Sequence, residues 1–277
     1  MTGELAGRVA LVTGAARGQG RAIAVTLARR GADIIGVDLC DDLASTDYRG
    51  ATAADLEQTA SEVEAIGSTF TARVADVRDL AALEAAVVES AAASGGLDIV
   101  VANAGIAGGA PLAAMPATSW SEMIDVNLTG TWNTLKASVP LLLERGRGSV
   151  VITSSANGGL KAPPNLAHYA SSKHGLVGLM RSLANELGPA GLRVNCVHPT
   201  AVATDMLLND ATYRLFRPDL ADPGLDDVVA QFSAFHSLDV PWIEPADVAA
   251  AVAFLVSDRA RFITGISLPV DAGLSAR

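Results

Sequence analysis

The sequence contains little of what disulfide-linked, nucleic-acid-binding or membrane-spanning proteins require. Its only cysteines, Cys40 and Cys196, form no CxxC pair, which argues against a disulfide framework and a zinc site. Acidic residues number 30 against 20 basic ones, so the net charge of −10 argues against nucleic acid and anionic membranes as partners. No long apolar run occurs and no secretory pattern opens the chain, so we expect a reduced, cytoplasmic protein.

Hydrophobic residues make up 50% of the chain but aromatic residues only 4%, so we expect an aliphatic core. Short β-branched or apolar runs alternate with helical patterns along the whole length. This alternation predicts an α/β fold: a single doubly wound (Rossmann) domain over residues 1–277, with a parallel seven-stranded sheet and helices on both faces. The predicted strands are 8–13, 33–38, 69–74, 97–102, 148–154, 192–198 and 266–270. The predicted helices are 20–30, 53–66, 80–94, 119–144, 167–187 and 245–257.

Two segments interrupt this alternation. Residues 39–52 form a polar connection that is longer than usual after a strand of such a fold. Residues 204–243, called the lid segment below, combine three prolines with Phe, Trp and Met residues. An insertion of this composition is a candidate substrate lid, and a packed surface excursion is the alternative.

A glycine-rich turn follows the first predicted strand and opens the first helix. Such a turn lets the backbone approach a pyrophosphate, whose charge faces the helix N-terminus. The G-x-x-x-G-x-G spacing differs from the general dinucleotide fingerprint, and no Lys-Ser/Thr ending marks a P-loop NTPase. The predicted contacts to a cofactor come from Gly14, Arg17, Gly18, Gln19 and Gly20.

Asp38 ends the second strand, about 20 residues beyond the turn, where an acidic group can bond ribose hydroxyls. Its carboxylate would repel a 2′-phosphate, and the following Leu39 adds no positive charge. Asp38 and Leu39 together therefore favour NAD over NADP. Arg17 leaves an alternative open, because its guanidinium can reach a 2′-phosphate.

Tyr169 and Lys173 are four residues apart and so share one helix face. A phenol of pKa ~10 is a poor base at neutral pH. A nearby cation favours phenolate, so we expect Lys173 to lower that pKa. The preceding strand ends in Ser154 and Ser155, whose hydroxyls can bond a substrate oxygen.

At this point the chain resembles the short-chain dehydrogenase/reductase family over nearly its full length. The matching pieces are residues 13–20, Asp76-Val77, Asn103-Ala104-Gly105, Asn127, Ser154-Ser155 and 169–173. The resemblance implies that Tyr169 is the general acid/base and that Lys173 also holds the nicotinamide ribose. It assigns Ser155 to orienting the substrate oxygen and Asn127 to holding a water in a proton relay. It places Asp76 and Val77 beside adenine, and Asn103, Ala104 and Gly105 along the cofactor cleft.

Further stretches resemble one subgroup, the carveol dehydrogenase-like enzymes associated with the redox cofactor mycofactocin. They are residues 14–20, 124–130, 198–200, 213–220 and 241–242, together with the long connection at 39–52. This resemblance implies a homotetramer and a cyclic secondary alcohol or its ketone as substrate. It also implies firmly held NAD(H) that an external electron acceptor reoxidises. Our hypothesis is that residues 39–52 cover the adenosine end and slow cofactor exchange.

The chain departs from the family pattern at three places. The usual Asn-Asn-Ala-Gly reads Ala102-Asn103-Ala104-Gly105, which we expect to change little. Ser155 precedes Tyr169 by fourteen residues, one more than usual, so either Ser155 acts from a bulged loop or Ser154 or another group replaces it; we favour Ser155. The usual Pro-Gly reads Pro199-Thr200, which reduces backbone freedom near the nicotinamide, and Pro199, Val202 and Thr204 are the expected contacts there. The four histidines show no metal-ligand spacing, and we expect no metal.

The leading function is therefore NAD-dependent interconversion of a secondary alcohol and a ketone. A β-ketoacyl thioester reductase would use the same residues, but the NADP preference and basic docking patch expected of it are not evident. A non-catalytic NAD sensor or scaffold is the alternative of another class. The intact Tyr169, Lys173 and Asn127 argue against it.

Overall fold

A computed structural model describes residues 3–277, and they form one seven-stranded parallel sheet in the order β3-β2-β1-β4-β5-β6-β7. The predicted fold class is confirmed, and each strand lies within two residues of its predicted bounds. The strands are β1 Val9–Thr13, β2 Asp33–Asp38, β3 Phe70–Val74, β4 Ile99–Ala102, β5 Gly148–Thr153, β6 Leu192–Pro199 and β7 Ser267–Val270.

Five of the six predicted helices lie within two residues of their expected bounds, and three short helices, at 156–159, 210–216 and 225–233, were not predicted. Residues 119–144 were expected to form one helix. There a π-helical turn, Asp125–Thr129, separates two α-helices. The helices are α1 Gly18–Arg29, α2 Ala53–Glu64, α3 Leu80–Ala93, α4 Ala117–Ile124, α5 Gly130–Arg145, α6 Ala156–Gly159, α7 Ala167–Leu187, α8 Asp210–Phe216, α9 Leu225–Ser233 and α10 Pro245–Val256. The lid segment contains α8 and α9. None of the helices in residues 3–277 is both long enough and apolar enough to cross a membrane.

The sheet is covered on both faces because its central strands carry buried apolar residues on both faces. In β1, Val9 and Leu11 belong to one hydrophobic cluster, whereas Ala10 and Val12 belong to the other. Buried residues of α3, α5 and α7 complete the first cluster, and those of α1, α2 and α10 complete the second. Successive side chains of a strand point to opposite faces, so this pattern requires the two helical layers.

The strand order reverses between β1 and β4, which are neighbours in the sheet. In open α/β sheets a crevice forms at the carboxyl ends of the strands at such a switch point. The glycine turn follows β1 there, and Asn103 follows β4. The fold therefore places the predicted cofactor residues at one edge.

Candidate active site

A cleft of about 450 Å³ opens at the carboxyl ends of the strands. Most of the predicted cofactor residues line it: Gly14, Arg17, Gly18, Gln19, Gly20, Asp38, Leu39, Asp76, Val77, Asn103, Ala104, Gly105, Tyr169, Lys173 and Thr204. Pro199 and Val202 do not line this cleft; Pro199 ends β6, and the buried Val202 bridges to Ile243. Within residues 3–277, no group of three His, Cys, Asp or Glu side chains is arranged to hold a metal ion.

The glycine turn is compact at the start of α1. A Cβ at Gly20 would lie 1.8 Å from the carbonyl oxygen of Gly14, so only glycine fits. The carboxylate of Asp38 accepts hydrogen bonds from the backbone N–H groups of Ala16, at 2.9 Å, and Cys40, at 3.2 Å. Asp38 is thereby fixed beside the turn, in the position expected of a ribose-binding carboxylate.

The buried side-chain oxygen Oε1 of Gln19 has no hydrogen-bond partner within the described residues, and Gln19 lines the cleft. A buried polar atom without a partner is uncommon and indicates a site that a ligand completes. Together with the glycine turn and the negative charge of Asp38, it fits a dinucleotide without a 2′-phosphate.

Arg17 is engaged by protein groups rather than free to reach a 2′-phosphate. Its guanidinium lies 2.9 Å from the carboxylate of Asp205 and donates to the carbonyl of Arg49. It also lies over the ring of Tyr48, 5.9 Å from the centroid. The alternative that Arg17 attracts a 2′-phosphate therefore has no support from this geometry.

Residues 39–52, called the β2–α2 connection below, form one wall of the cleft. Leu39, Asp41, Leu43, Thr46, Tyr48, Arg49, Gly50 and Ala51 all line it. The hydroxyl of Tyr48 accepts from the N–H of Ala107 at 3.1 Å, and burial raises the pKa of this phenol to about 12. The unusual length of the connection indicated this wall from the sequence. No sequence pattern indicated the contacts that hold it in place.

A second anchor ties the β2–α2 connection to α4. The backbone N–H of Ser45 donates to the carboxylate of Glu122 at 2.9 Å. Arg78 binds the same carboxylate at 3.1 Å and the carboxylate of Asp76 at 2.6 Å. Asp76, the residue expected beside adenine, is thus linked to the connection through two other side chains.

Tyr169 and Lys173 point into the cleft from the first turns of α7. The ammonium of Lys173 is buried, donates to the carbonyl of Thr153 at 3.0 Å and lies 5.8 Å from the centre of the Tyr169 ring. Burial lowers the pKa of Lys173 to about 8. Burial also raises the pKa of Tyr169 above its ordinary value, and the hydroxyl of Ser155 acts in the opposite direction. The expected net lowering of the phenol pKa by Lys173 is therefore not found, because desolvation by burial dominates.

The two candidate serines have different surroundings. The Ser154 hydroxyl donates to the carbonyl of Lys173 at 3.0 Å and is occupied by that bond. Ser155 lies at the N-cap position of α6, and its side chain acts to lower the pKa of Tyr169. This effect favours Ser155 as the partner of Tyr169, although of the two serines only Ser154 lines the cleft.

The π-helical turn between α4 and α5 turns Asn127 towards the interior. Its side-chain oxygen accepts from the N–H of Ile106 at 2.8 Å, and its amide donates to the carbonyl of Ile106 at 3.0 Å. π-Helical turns often occur at functional sites, and this one contains the residue expected in the proton relay. The side chain is thus engaged by the backbone of Ile106, and the backbone carbonyl of Asn127 accepts from the hydroxyl of Thr131 at 2.8 Å.

The glycine pair at 158–159 contributes to the site in a way that the sequence did not reveal. A Cβ at Gly158 would lie 2.7 Å from Cε1 of Tyr169 and 3.1 Å from Cβ of Lys173. The short helix α6 therefore packs against Tyr169 and Lys173 through bare backbone, which the glycine at position 158 allows.

Comparison with known proteins finds relatives over nearly the whole chain. A family model described as enoyl-(acyl carrier protein) reductase matches residues 14–275. (−)-trans-Carveol dehydrogenase of Rhodococcus erythropolis is 50% identical over 274 residues, covering 98% of each chain. The crystal structure of carveol dehydrogenase from Mycobacterium avium in complex with NAD superimposes with a TM-score of 0.98 at 50% identity, covering 100% of both chains. A short-chain dehydrogenase from Mycobacterium paratuberculosis bound to NAD has a TM-score of 0.90 at 40% identity, covering 99% of this chain and 100% of that one.

The chain belongs to the short-chain dehydrogenase/reductase family, and the resemblance noted from its sequence is confirmed. It is an oxidoreductase by family, with relatives of carveol dehydrogenase type over its whole length.

Proposed function

We propose that the protein is an NAD-dependent dehydrogenase that interconverts a secondary, cyclic alcohol of the carveol type and its ketone. The observation that carries this proposal is the convergence of Tyr169 and Lys173 on a cleft that the glycine turn and Asp38 also line, with the Ser155 side chain acting on Tyr169. The relatives named for carveol and for bound NAD support both the substrate class and the cofactor.

When bound, NAD would be held by the glycine turn and Asp38 and would supply the acceptor for the hydride of the carbinol carbon, while the residues of the chain handle the proton. The Tyr169 phenolate takes the hydroxyl proton of the alcohol, while the Ser155 hydroxyl orients the same oxygen. The Lys173 ammonium, held by the carbonyl of Thr153, favours the phenolate once the cleft is filled. The products are the ketone, the reduced cofactor and one proton, and ketone reduction runs the same steps backwards.

The test is oxidation of carveol or cyclohexanol with an artificial electron acceptor. We expect activity in the wild type and at least a 100-fold loss in Tyr169→Phe, with nucleotide content unchanged. Wild-type rates in Tyr169→Phe would contradict the mechanism. Reduction of a β-ketoacyl thioester with NADPH but no oxidation of alcohols would instead favour the thioester reductase.

We also propose that the β2–α2 connection retains the cofactor, so that an external acceptor, mycofactocin by subgroup resemblance, reoxidises it. Its anchors at Ala107 and Glu122 cover one wall of the cleft and support this role. Mass spectrometry of the protein as purified should find NAD at close to one per chain. Ready loss of NAD on dialysis, with turnover on free NAD, would contradict retention.

The lid segment is proposed to close the substrate end. It has its own aromatic cluster, in which the rings of Phe216 and Phe232 are 4.6 Å apart, and its residues Asp205 and Met206 line the cleft. A homotetramer is proposed from the family resemblance. Trp132 on α5 is 46% exposed beside a surface groove that also includes Leu128 and Leu179, and Trp132→Glu should lower the mass measured by light scattering.

A further inference from the structure

His198, near the end of β6, is fully buried and contacts the backbone of the proposed catalytic serine. Its Nδ1 lies 3.0 Å from the carbonyl oxygen of Ser155. The same oxygen accepts from the N–H of Gly159 at 2.8 Å, which closes the turn of α6. A carbonyl only accepts hydrogen bonds, so Nδ1 must carry the ring hydrogen.

The other ring nitrogen of His198 has no partner within residues 3–277, although it is buried. Burial lowers the pKa of His198, which agrees with a neutral ring carrying a single hydrogen. If the position needed only bulk, an apolar side chain would fill it without leaving a nitrogen unpaired. Compared with an apolar side chain of similar size, the imidazole therefore contributes one thing, the hydrogen bond from Nδ1 to the Ser155 carbonyl.

The neighbourhood of α6 explains why such a contact is needed. Ser155 occupies the N-cap position of this four-residue helix without a side-chain capping bond, and its hydroxyl must stay within reach of the Tyr169 phenol. The loop to Tyr169 is one residue longer than the family pattern and contains two adjacent glycines, which have the widest conformational freedom. A second donor on the Ser155 carbonyl restrains the peptide that sets the direction of the Ser155 side chain.

We propose that His198 is a positioning residue that holds the Ser155 carbonyl through Nδ1–H and so sets the Ser155 hydroxyl against Tyr169. This inference rests on the proposed function for its catalytic consequence. The hydrogen bond itself does not depend on that function.

The test compares three substitutions in the holoenzyme. An Asn side chain places its amide close to the position of Nδ1, whereas Gln reaches towards Nε2 and Leu donates nothing. We expect single-turnover hydride transfer to fall about tenfold in His198→Leu and His198→Gln, and to stay within about threefold of wild type in His198→Asn. Equal rates in all four proteins, or equal losses in the Asn and Gln variants, would overturn the proposal.

A double-mutant cycle separates positioning from general damage. In a Ser155→Ala background, His198→Leu should cost less than about twofold, because the hydroxyl it positions is gone. The same tenfold loss in both backgrounds would show that His198 acts elsewhere and would overturn the proposal.

A measurement without substrate keeps this inference separate from the proposed function. The ¹⁵N chemical shifts of the imidazole should show a neutral ring protonated at Nδ1. A ring protonated at Nε2 would overturn the contact, whatever the enzyme oxidises. A wild type that oxidises no alcohol but shows the Nδ1–H form would overturn the proposed function and leave the contact established.

Discussion

The carboxylate of Asp205 lies 2.9 Å from the guanidinium of Arg17, so the start of the lid segment is ion-paired to the glycine turn. Arg49 of the β2–α2 connection approaches the same carboxylate at 3.5 Å. All three side chains line the cleft. One carboxylate therefore joins three separate parts of the chain around the proposed cofactor site.

Removing this charge should speed the loss of cofactor. In Asp205→Asn both ion pairs are lost, and we expect NADH to dissociate about three- to tenfold faster, since partly exposed pairs contribute about 0.2–1 kcal/mol each. Release is measured by the fall in NADH fluorescence on dilution. Asp222→Asn, which removes the exposed pair with Arg214 elsewhere in the lid segment, is the matched control and should leave the rate unchanged. Equal rates of NADH dissociation in the wild type, Asp205→Asn and Asp222→Asn would show that Asp205 does not help to retain the cofactor.

Gly158 should not tolerate a side chain. In Gly158→Ala the added Cβ would meet the Tyr169 ring at 2.7 Å, so the phenol must move. A displacement of about 1 Å at a reacting group costs on the order of 100-fold in rate, which is the loss we expect in kcat. Gly188→Ala is the matched control, because helical backbone and open space surround that position. Wild-type kcat in Gly158→Ala would show that the ring has room to adjust.

The sequence predicted the fold because strand and helix patterns are local. Seven apolar runs and the turn after β1 were recognised, and the four-residue spacing of Tyr169 and Lys173 placed the catalytic pair. The π-helical turn at Asp125–Thr129 was missed, since one extra residue barely disturbs helical periodicity. The pair between Arg17 and Asp205 was also missed, because it joins positions 188 residues apart without any pattern in the chain.

The pKa shift of Tyr169 is a further property that the sequence pattern did not predict correctly. The four-residue spacing indicated an interaction with Lys173, but it carried no information on how deeply both groups are buried. Desolvation reverses the direction expected from charge alone. Burial depends on packing of α6 and α7 against the ends of β5 and β6, which the sequence pattern does not specify.

The buried ammonium of Lys173 should give the nucleotide-free protein a characteristic pH dependence. Its pKa is about 8 in the folded state, below the ~10.4 of lysine in an unfolded chain. Below pH 8 both states hold the proton, and the folded state carries the full cost of the buried charge. Above pH 8 the unfolded chain holds more protons, so the free energy of unfolding rises with pH.

The Lys173→Met variant has no ionisable group at this position. Comparing it with the wild type therefore isolates the contribution of Lys173 to the pH dependence. Between pH 7 and 9, the unfolding free energy of the wild type should rise by roughly 1 kcal/mol relative to the variant. Urea unfolding at several pH values gives the difference directly. Burial raises the pKa of Cys40 to about 11 and that of Cys196 to about 12 in the folded state, whereas both thiols titrate at pH ~8.5 in the unfolded chain. Both thiols are present in the wild type and in the variant, so their contribution cancels in the difference. Parallel pH profiles would show that Lys173 titrates as in water.

Thr200, which replaces the glycine usual after the proline of β6, anchors the lid segment. Its hydroxyl lies 2.7 Å from Nε2 of His236, whose Nδ1 lies 2.7 Å from the carbonyl of Val240. The carbonyl requires a hydrogen on Nδ1, so Nε2 of the neutral ring accepts from Thr200. The departure from the family pattern thus has a function in joining the lid segment to β6.

In Thr200→Val this donor is lost while the shape is kept. Leaving the buried Nε2 without a partner should lower the free energy of unfolding by about 1–3 kcal/mol. A looser lid segment should also raise KM for the alcohol several-fold and speed cleavage by chymotrypsin within residues 204–243, where Leu215 is 61% exposed. Thr71→Val on β3 is the control, since the Thr71 hydroxyl makes no hydrogen bond to the described part of the chain. If Thr200→Val matches this control in KM and in cleavage rate, the lid segment is held by its aromatic cluster and not by the bond between Thr200 and His236.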